Sequence, residues 1–455
     1  MPTSNLGPSL QKLGHKYGEV VYLNICGQPT VVLNSYDSAV ALLESRSSNT
    51  SDRPRFVMAE LTAYDWITGL KGYTQAWRQR RRAFHGTFQY SAVQRRRPLL
   101  LRGCRRFVHR LLETPDDFLS LARHMFGATA MQMVYGITIS ETADRYISIA
   151  EKAMAVFNEI TVPGRYIVEL YPSLKSLPAW LPGMGFKRNA ARWRVDVEAL
   201  RNVPYKASTE ALARGEARDS MLASLIDERG NEAAAELSME EEELFKDVTG
   251  LAYITGADTT LSAVQAFFLC MVLNPEAQRK AQEELDAVDS LPYVNVVVKE
   301  ILRWHTAIPL GIPHRTMEEE EWNGYRIPAG CVIISNLWAM SREEAAYPDP
   351  EVFIPERFLN HDDVCGSNTR DPERFQFGFG RRICPGRHLA NSSLFITVAS
   401  VLHAFTIEAP IGEDGKPVKI NPAINRDYFL AYPQPFKCRI VPRFERATEL
   451  IKAFD

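Results

Sequence analysis

The stretch FGFGRRICPGRHLA, residues 377–390, places one cysteine, Cys384, in a turn rich in glycine and arginine. An apolar helical pattern follows, so the thiol lies near a helix N-terminus, where the helix dipole and neighbouring arginines favour the thiolate. Glycine lets the backbone approach a large neighbour and point N–H groups at sulfur. From these residues alone, Cys384 is half of a disulfide, a nucleophile, a metal ligand or an inert core thiol.

The composition of the chain narrows these alternatives. Its 455 residues are 45% hydrophobic and 24% charged, which is typical of a large globular protein, and the net charge of −2 gives no global field for nucleic acid. Seven widely spaced cysteines without a C-x-x-C pair argue against a disulfide framework or zinc ribbon and for a reducing compartment. No Cys-His signature of a thiol nucleophile is evident.

Helical periodicity dominates the chain, and strand patterns cluster towards its two ends. We expect β-rich parts near residues 18–35, 313–338 and 425–443, and a helical core over about 74–306 and 385–405. No linker composition divides the chain. The pattern therefore predicts one domain over residues 1–455.

Three local signals refine this prediction. Ser238 and Glu241 form a capping-box pattern, which predicts the start of a long helix ending near Leu273. Its apolar part is long enough to cross a membrane, but Asp258 and Gln265 within it favour a buried central helix. Hairpins are predicted around residues 26–29 and near residues 428–443.

The spacing Phe377-x-x-Gly380-x-Arg382-x-Cys384-x-Gly386 resembles the haem-binding loop of the cytochrome P450 family at every defining position. The resemblance implies the P450 fold, mainly α with small β-sheets (α+β), as a single large haem domain. It also implies that Cys384 is the axial thiolate ligand to the iron of haem b. Phe377 would pack against the ligand loop, and Arg382 would pair with a haem propionate.

A second motif lies upstream of the cysteine loop. In KEILRW, Glu300 and Arg303 stand one helical turn apart, which by itself indicates only an ordinary surface ion pair. Arg357 follows in PERF, and the order of the two motifs resembles the Glu-Arg-Arg triad of the same family. The resemblance implies a buried network of these three residues on the haem side of the fold.

The long helix contains TGADTT, residues 255–260. Helix interiors disfavour glycine and threonine, so this cluster serves something other than helix stability, and close packing of another helix remains open. In family order the segment, with Gly256, resembles the oxygen-activating segment. Asp258 and Thr259 match its acid–alcohol pair, which manages proton delivery to bound dioxygen. Thr255 replaces the small residue usual there, which implies a changed pocket.

Two further stretches resemble propionate contacts of the family. WRQRRRAFH places Trp77 and Arg81 four residues apart, and GIPHRT offers His314 in a strand position. Taken singly, they indicate a solvated basic face and a hydrogen-bonded core histidine. The resemblance implies that all three contact the haem.

The arginine-rich stretch 78–110 is compatible with three interpretations: a nucleic-acid-binding patch, a solvated helical face or a docking surface for a redox partner. The balanced total charge and the lack of a nucleic-acid module argue against the first. The resemblance implies that NADPH–cytochrome P450 reductase, with cytochrome b5 as a further donor, approaches the cysteine side with electrostatic steering. We expect a monomer that binds no nucleic acid.

The resemblance also indicates a pocket lined by residues 60–70, 162–186, 307–312 and 428–433. These stretches are rich in aromatic and aliphatic residues, which predicts a small to medium-sized apolar substrate. The detailed wording of the motifs looks most like fungal microsomal-type members of secondary metabolism.

Two features depart from the family pattern. Eukaryotic members begin with an apolar membrane anchor, whereas this chain begins within what resembles the catalytic domain, so it is either truncated or soluble. A form carrying the anchor would lie in the endoplasmic reticulum membrane and face the cytosol. The connection near residues 286–291 is shorter than in relatives, and we expect it to strain the packing.

The sequence therefore predicts a haem-dependent monooxygenase that inserts one atom of O2 into an apolar organic substrate. Electrons would come from NADPH through the reductase. One alternative is a haem-thiolate isomerase or dehydratase, against which the acid–alcohol pair argues. The other is a catalytically impaired haem-binding paralogue.

Overall fold

The computed structural model describes residues 5–140, 144–230, 237–287, 290–359, 369–444, 448–449 and 451. Within these ranges the α-helices are α1 Leu6–Tyr17, α2 Tyr36–Ala39, α3 Ser47–Thr50, α4 Val57–Leu61, α5 Gln75–Phe88, α6 Tyr90–Glu113, α7 Phe118–Tyr135, α8 Arg145–Ile160, α9 Gly185–Ala213, α10 Met221–Asp227, α11 Met239–Leu273, α12 Pro275–Ala287, α13 Pro292–Trp304, α14 Leu337–Met340, α15 Glu373–Gln376 and α16 Arg387–Ala404. The strands are β1 Val20–Ile25, β2 Gln28–Leu33, β3 His314–Arg315, β4 Glu320–Trp322, β5 Tyr325–Ile327, β6 Val332–Ser335, β7 Phe405–Glu408, β8 Ile424–Asn425, β9 Tyr432–Pro433 and β10 Arg439–Pro442. The mainly helical fold with small sheets is thus confirmed.

The largest sheet in the described part of the chain has four strands in the order β1-β2-β6-β3. β1 and β2 form the predicted hairpin, in which Cys26 and Gly27 have φ of +50° and +91°. Glycine adopts left-handed backbone conformations at little cost, and the tight turn lies at residues 26–29, as predicted. β2 then pairs in parallel with β6, which joins the N-terminal strands to the region after α13.

The predicted hairpin near residues 428–443 is wrong in its pairing. Strands occur there, but β9 pairs with β8, and β10 pairs with β7. Pro433 is the last residue of β9 and Pro435 lies between β9 and β10, and proline has no backbone N–H to donate to a ladder. The two strands are therefore bonded to different neighbours.

The central helix α11 begins where the capping box predicts. Ser238 Oγ accepts from Glu241 N at 3.3 Å, and the Glu241 carboxylate accepts from Ser238 N at 2.9 Å. Among the described residues, α11 is the one helix long and apolar enough to span a membrane, and 72% of its most apolar window is buried. It packs against α5, α7, α9, α13 and α16, so the prediction of a buried central helix is confirmed.

Candidate active site

Residues 377–386 form a closed loop that ends at α16. The backbone N–H of Cys384 donates to the carbonyl of Phe377 at 2.7 Å, which brings the two ends of the loop together. Gly386 is the N-cap of α16 and Arg387 its first residue, so the helix begins just after the cysteine rather than at it. The thiol therefore lies beside free N–H groups of the helix terminus.

Gly380 has a packing role that the sequence did not reveal. Its φ is +53°, and an added Cβ would lie 2.3 Å from the carbonyl oxygen of Leu43. The close approach is thus to the backbone of a π-helical segment, residues 40–44. At Gly386, by contrast, a Cβ would make an ordinary contact, 3.8 Å from Cys384 Sγ. Of these two glycines, only Gly380 is required for the loop to pack.

The Cys384 thiol lies deep in the protein but keeps an accessible surface. Burial raises its pKa, whereas the Gly386 backbone N–H and the guanidinium groups of Arg81 and Arg387 lower the pKa. A group that is surrounded by protein and still partly accessible borders an internal space. Cys384 is therefore available to a group bound inside the protein.

Arg382, two residues before Cys384, is held in place with one hydrogen-bond donor to spare. Its Nε and Nη2 donate to the carbonyls of Ser51 and Lys71 at 2.7 and 2.8 Å, and its guanidinium stacks on Trp77 at 4.2 Å. Buried Nη1 has no hydrogen-bond partner among the described residues. Because an unsatisfied buried donor is costly, the site fits an anionic group that would accept from it.

Helix α5 holds Trp77 and Arg81 against the cysteine loop. Thr74 caps the helix by accepting from Trp77 N at 3.3 Å, and the indole of Trp77 is buried. Burial lowers the pKa of Arg81, and the nearby Cys384 raises it. The structure thus brings both residues of the predicted pair to the loop.

His314 lies on β3 and is buried. Its Nδ1 is 2.9 Å from the carbonyl oxygen of Thr50, which accepts only, so Nδ1 carries a proton. Burial lowers the pKa of His314, and the cations Arg53 and Arg382 lower it further, which favours the neutral ring. The neutral tautomer leaves Nε2 without a proton, so a contact with a carboxylate at Nε2 requires the imidazolium.

Arg53 is a buried cation that the sequence analysis missed. Its Nε donates to Gly69 O at 3.0 Å, and its Nη1 donates to Ile312 O and Pro313 O at 2.6 and 2.7 Å. Burial and the nearby Arg382 lower its pKa. No spacing rule singles out this residue in the sequence, because its partners lie on other segments. It adds a further cation beside His314 and Arg382.

The three residues of the predicted triad meet in the core. Glu300 accepts from Arg303 through both oxygens at 2.7 Å and from Arg357 Nε at 3.3 Å. It also accepts from the backbone N–H of Ile354 at 2.8 Å. Arg303 donates further to the carbonyls of Ser341, Pro350 and Val352. The charges are fully buried and well satisfied.

The middle of α11 borders an accessible space although most of the helix is buried. Thr255 is exposed, and Gly256 and Thr259 are half-exposed. Thr259 Oγ1 donates to the carbonyl of Thr255 at 2.8 Å, so its proton is engaged and its lone pairs remain free. A Cβ at Gly256 would meet only Ala130, at 4.0 Å. Close helix packing therefore does not explain the glycine.

Asp258 is buried and only loosely paired. Arg123 Nη1 lies 3.6 Å from its carboxylate, and the same arginine lies 3.4 Å from Glu151. Burial raises the pKa of Asp258 to about 6, and Glu151 reinforces the rise, whereas Arg123 and the Tyr432 hydroxyl oppose it. This carboxyl group therefore exchanges its proton near neutral pH.

The four stretches predicted to line a pocket are connected to one another. Tyr64 packs edge-on against Phe157 of α8 at 5.4 Å, and Phe157 against Phe429 at 5.2 Å. Ala431 N donates to Ala307 O at 2.8 Å, which joins residues 428–433 to 307–312. Lys175 Nζ donates to Glu60 at 3.0 Å, which joins residues 162–186 to 60–70. The enclosure near Asp258 is therefore largely aromatic.

The basic stretch on α5 and α6 lies on the cysteine side. The ring of Tyr90 packs on His388 of α16 at 5.6 Å. Some of its arginines are paired, since Arg80 binds Asp247 and Arg96 binds Asp219. Others are exposed to solvent: Arg78, Arg82, Arg95, Arg97, Arg102, Arg105 and Arg106.

Comparisons with known proteins agree with this geometry. The family model described as "Cytochrome P450" matches residues 3–438, nearly the whole chain. The chain therefore belongs to the cytochrome P450 family.

Similar proteins come from fungi. The chain is 38% identical to cytochrome P450 monooxygenase COX2 of Coprinopsis cinerea, over 97% of this chain and 86% of that protein. It is 38% identical to cytochrome P450 monooxygenase ple1 of Rhodocybe pseudopiperita, with the same coverage. It is 36% identical to tryptamine 4-monooxygenase of Psilocybe cyanescens, over 96% of this chain and 87% of that protein.

A zebra fish cytochrome P450 solved with abiraterone shares the fold, with a TM-score of 0.74 at 20% identity, covering 96% of this chain and 100% of that one. The chain is thus a haem-dependent monooxygenase, an oxidoreductase that incorporates oxygen from O2 and draws electrons from a redox partner. The similar proteins are fungal cytochrome P450 monooxygenases, and the isomerase and inactive alternatives are not favoured.

Proposed function

We propose that Cys384 is the axial ligand of haem b and that the monooxygenase acts on an apolar fungal metabolite. The observation that carries this proposal is the pairing of an accessible thiol, Cys384, with the unpartnered buried donor of Arg382. Arg81 interacts electrostatically with both residues, and a thiolate with an anion-binding arginine suits the iron and a propionate of haem. Phe377, Gly380 and Gly386 would shape the loop.

The cations around the loop would hold the propionates. Arg382 Nη1 offers a free donor, while Trp77 and Arg81 line the same region from α5. A bound carboxylate would favour the imidazolium of His314 and so give its Nε2 a proton. Arg53 would complete the positive surroundings.

When bound, haem supplies the activation of O2, and residues of α11 would control protons near it. Asp258 would take up and release a proton near neutral pH, because burial raises its pKa to about 6. Tyr432 and Arg123 would orient its carboxylate. Thr259, whose own proton is held by Thr255 O, would accept a hydrogen bond through its free lone pairs. Gly256 would leave room beside them.

The triad would keep the haem side rigid, because Glu300, Arg303 and Arg357 satisfy one another in the core. The aromatic enclosure around Phe157 would exclude water and favour an apolar substrate. The triad would thus act on the stability of the fold and the enclosure on the choice of substrate, and neither would take part in proton transfer.

Partners and location extend the proposal. NADPH–cytochrome P450 reductase, and cytochrome b5 as a further donor, would dock on the exposed arginines of α5 and α6. A form with a membrane anchor would lie on the cytosolic face of the endoplasmic reticulum as a monomer. The short connection near residues 286–291 includes residues 288–289, which lie outside the described residues.

The test is reconstitution of the purified protein with the reductase, NADPH and 18O2, with fungal metabolite extracts as substrates. We expect one 18O atom in an apolar product. With that product identified, Thr259→Ala should divert NADPH electrons into hydrogen peroxide. The control is Thr249→Ala, because Thr249 makes the same kind of bond, to Phe245 O, but is fully buried. Unchanged coupling in Thr259→Ala would remove its proposed role.

A further inference from the structure

Ala431, directly before β9, is fixed to the core through both of its backbone polar groups. Its N–H donates to Ala307 O at 2.8 Å, and its carbonyl accepts from Ser262 Oγ of α11 at 2.5 Å. Ala431 and Ser262 are both fully buried. The hydroxyl of Ser262 therefore fixes where β9 begins relative to α11.

A buried histidine completes this contact. The Nε2 atom of His305 lies 2.7 Å from Ser262 Oγ. Because Ser262 donates its single hydroxyl proton to the Ala431 carbonyl, it accepts from His305, so Nε2 carries a proton. Burial lowers the pKa of His305 to about 3, and the cations Arg426 and Arg342 lower it further, which keeps the ring neutral. The hydrogen bonds therefore run in one direction, from His305 through Ser262 to Ala431.

His305 is carried by the helix of the buried triad. It is the C-cap residue of α13, and its backbone N–H donates to Ile301 O at 2.9 Å. The same helix carries Glu300 and Arg303, whose charges are fully buried and paired. Ser262 thus accepts its hydrogen bond from a residue that the triad helix holds in place.

Tyr432, the first residue of β9, follows Ala431 directly. Its hydroxyl faces Asp258 and forms a hydrogen bond that favours the carboxylate. Asp258 and Ser262 are four residues apart on α11, so they lie on the same face of the helix, one turn apart. β9 packs against α11. The position of Ala431 over Ser262 therefore decides whether the phenol reaches the carboxyl group.

We propose that Ser262 and His305 are positioning residues that hold the Tyr432 hydroxyl against Asp258. They act through the backbone of Ala431, one helical turn away from the carboxyl group. The role of this contact in the reaction rests on the proposed function, in which Asp258 takes up and releases a proton. The contact itself is a property of the folded chain.

Loss of the Tyr432 contact should raise the pKa of Asp258. A hydrogen bond to the carboxylate stabilises the charged form, so its removal favours the protonated acid. Substitution of Ser262 leaves the other groups that interact electrostatically with Asp258 in place. These are Arg123 of α7, Glu151 of α8, Tyr64 and Tyr253.

Infrared spectroscopy of the haem-loaded ferric protein reads the protonation of Asp258 without turnover. Subtracting the spectrum of Asp258→Asn identifies the band of its carboxylic acid, which is then followed with pH. Tyr432→Phe should move the midpoint up by roughly one pH unit, because one hydrogen bond to a charged group is lost. Ser262→Ala should move it in the same direction. The double variant Ser262→Ala/Tyr432→Phe should go no further than Tyr432→Phe, because both changes remove the same contact.

Matched variants separate positioning from stability. His305→Phe keeps a ring without a donor and should shift the midpoint as Ser262→Ala does. His305→Gln keeps an N–H donor and should remain close to wild type. Thr249→Val is the control, because it removes a buried α11 hydroxyl that donates within its own helix, to Phe245 O at 2.6 Å. This control should leave the midpoint unchanged.

Three results would overturn the proposal. The first is a midpoint that does not rise in Ser262→Ala or in Tyr432→Phe. The second is a double variant in which the two shifts add, and the third is the same midpoint in His305→Phe and His305→Gln. Because the band is read without product formation, this failure is distinct from a failure of the monooxygenase assignment.

Discussion

Two buried carboxylates, Glu300 and Asp258, lie in very different surroundings. Glu300 is bonded to two buried arginines and a backbone N–H at 2.7 to 3.3 Å. Asp258 has one arginine at 3.6 Å, and that arginine is 37% exposed and shared with Glu151. In the fully hydrogen-bonded network of Glu300 the groups keep their charges. The carboxyl group of Asp258 has few partners and therefore gains or loses its proton as pH changes. The arrangement around Glu300 suits a role in stability, and the arrangement around Asp258 suits proton transfer.

The largest effect is expected where the network is saturated. Glu300→Gln leaves Arg303 and Arg357 buried without a counter-charge, so the free energy of unfolding should fall by about 3–5 kcal/mol. Chemical denaturation measures this loss. Lys299→Ala on the same helix is the control, because its half-exposed pair with Asp371 should be worth less than about 1 kcal/mol. Equal losses in the two variants would contradict the difference in role.

Asp258→Asn should act on the reaction instead. Removing a positioned proton donor should lower turnover about a hundredfold. The haem content and the carbon-monoxide spectrum should stay those of wild type, since Asp258 contacts neither the cysteine loop nor its cations in the structure. The measurement is product formed per haem with reductase and NADPH. Wild-type turnover in the variant would assign Asp258 to structure alone.

The same variant should change stability with pH. Because burial raises the pKa of Asp258 to about 6, folded wild type keeps a proton that the unfolded chain releases at its lower, ordinary pKa. Wild type therefore loses stability as pH rises from the ordinary value to about 6, and Asp258→Asn lacks this loss. Across that window the variant should gain roughly 2 kcal/mol relative to wild type. Parallel unfolding profiles would contradict the pKa argument.

The smallest effects should come from the partners of Asp258. Arg123→Gln removes a charge that lowers the pKa of Asp258, so the titration window should move up. Glu151→Gln removes a charge that raises the pKa, so the window should move down. Partial exposure screens both effects. The pH profile of unfolding or turnover measures them, and a common direction of shift would refute this arrangement.

The sequence predicted the features that lie within one motif. The cysteine loop, the capping box of Ser238 and the pair of Glu300 with Arg303 were all visible as spacings, and the long helix and the first hairpin followed from local patterns. Their geometry depends on residues a few positions apart. The local sequence alone therefore disfavours other placements of these features.

Contacts between distant segments were not visible. Glu169 is more than a hundred residues from the N–H groups of Val57 and Met58 that it binds, and Arg53 donates to the carbonyls of Gly69, Ile312 and Pro313, all of which are distant from it in sequence. Gly380 is required by Leu43 O, which the sequence cannot place. The predicted pairing of β9 with β10 is wrong for the same reason, because contacts with distant segments decide which strands form hydrogen bonds with each other.

The absorption spectrum of the reduced, carbon-monoxide-bound protein tests the central assignment most directly. Wild type should show the red-shifted Soret band of a thiolate-ligated haem, and Cys384→Ser should lose it. Cys104→Ser is the matched control, because this buried thiol lies between α6 and α16, where its Sγ contacts Ile396 O, and should leave the band unchanged. A wild type without the thiolate band, or a Cys384→Ser protein that retains it, would contradict the account.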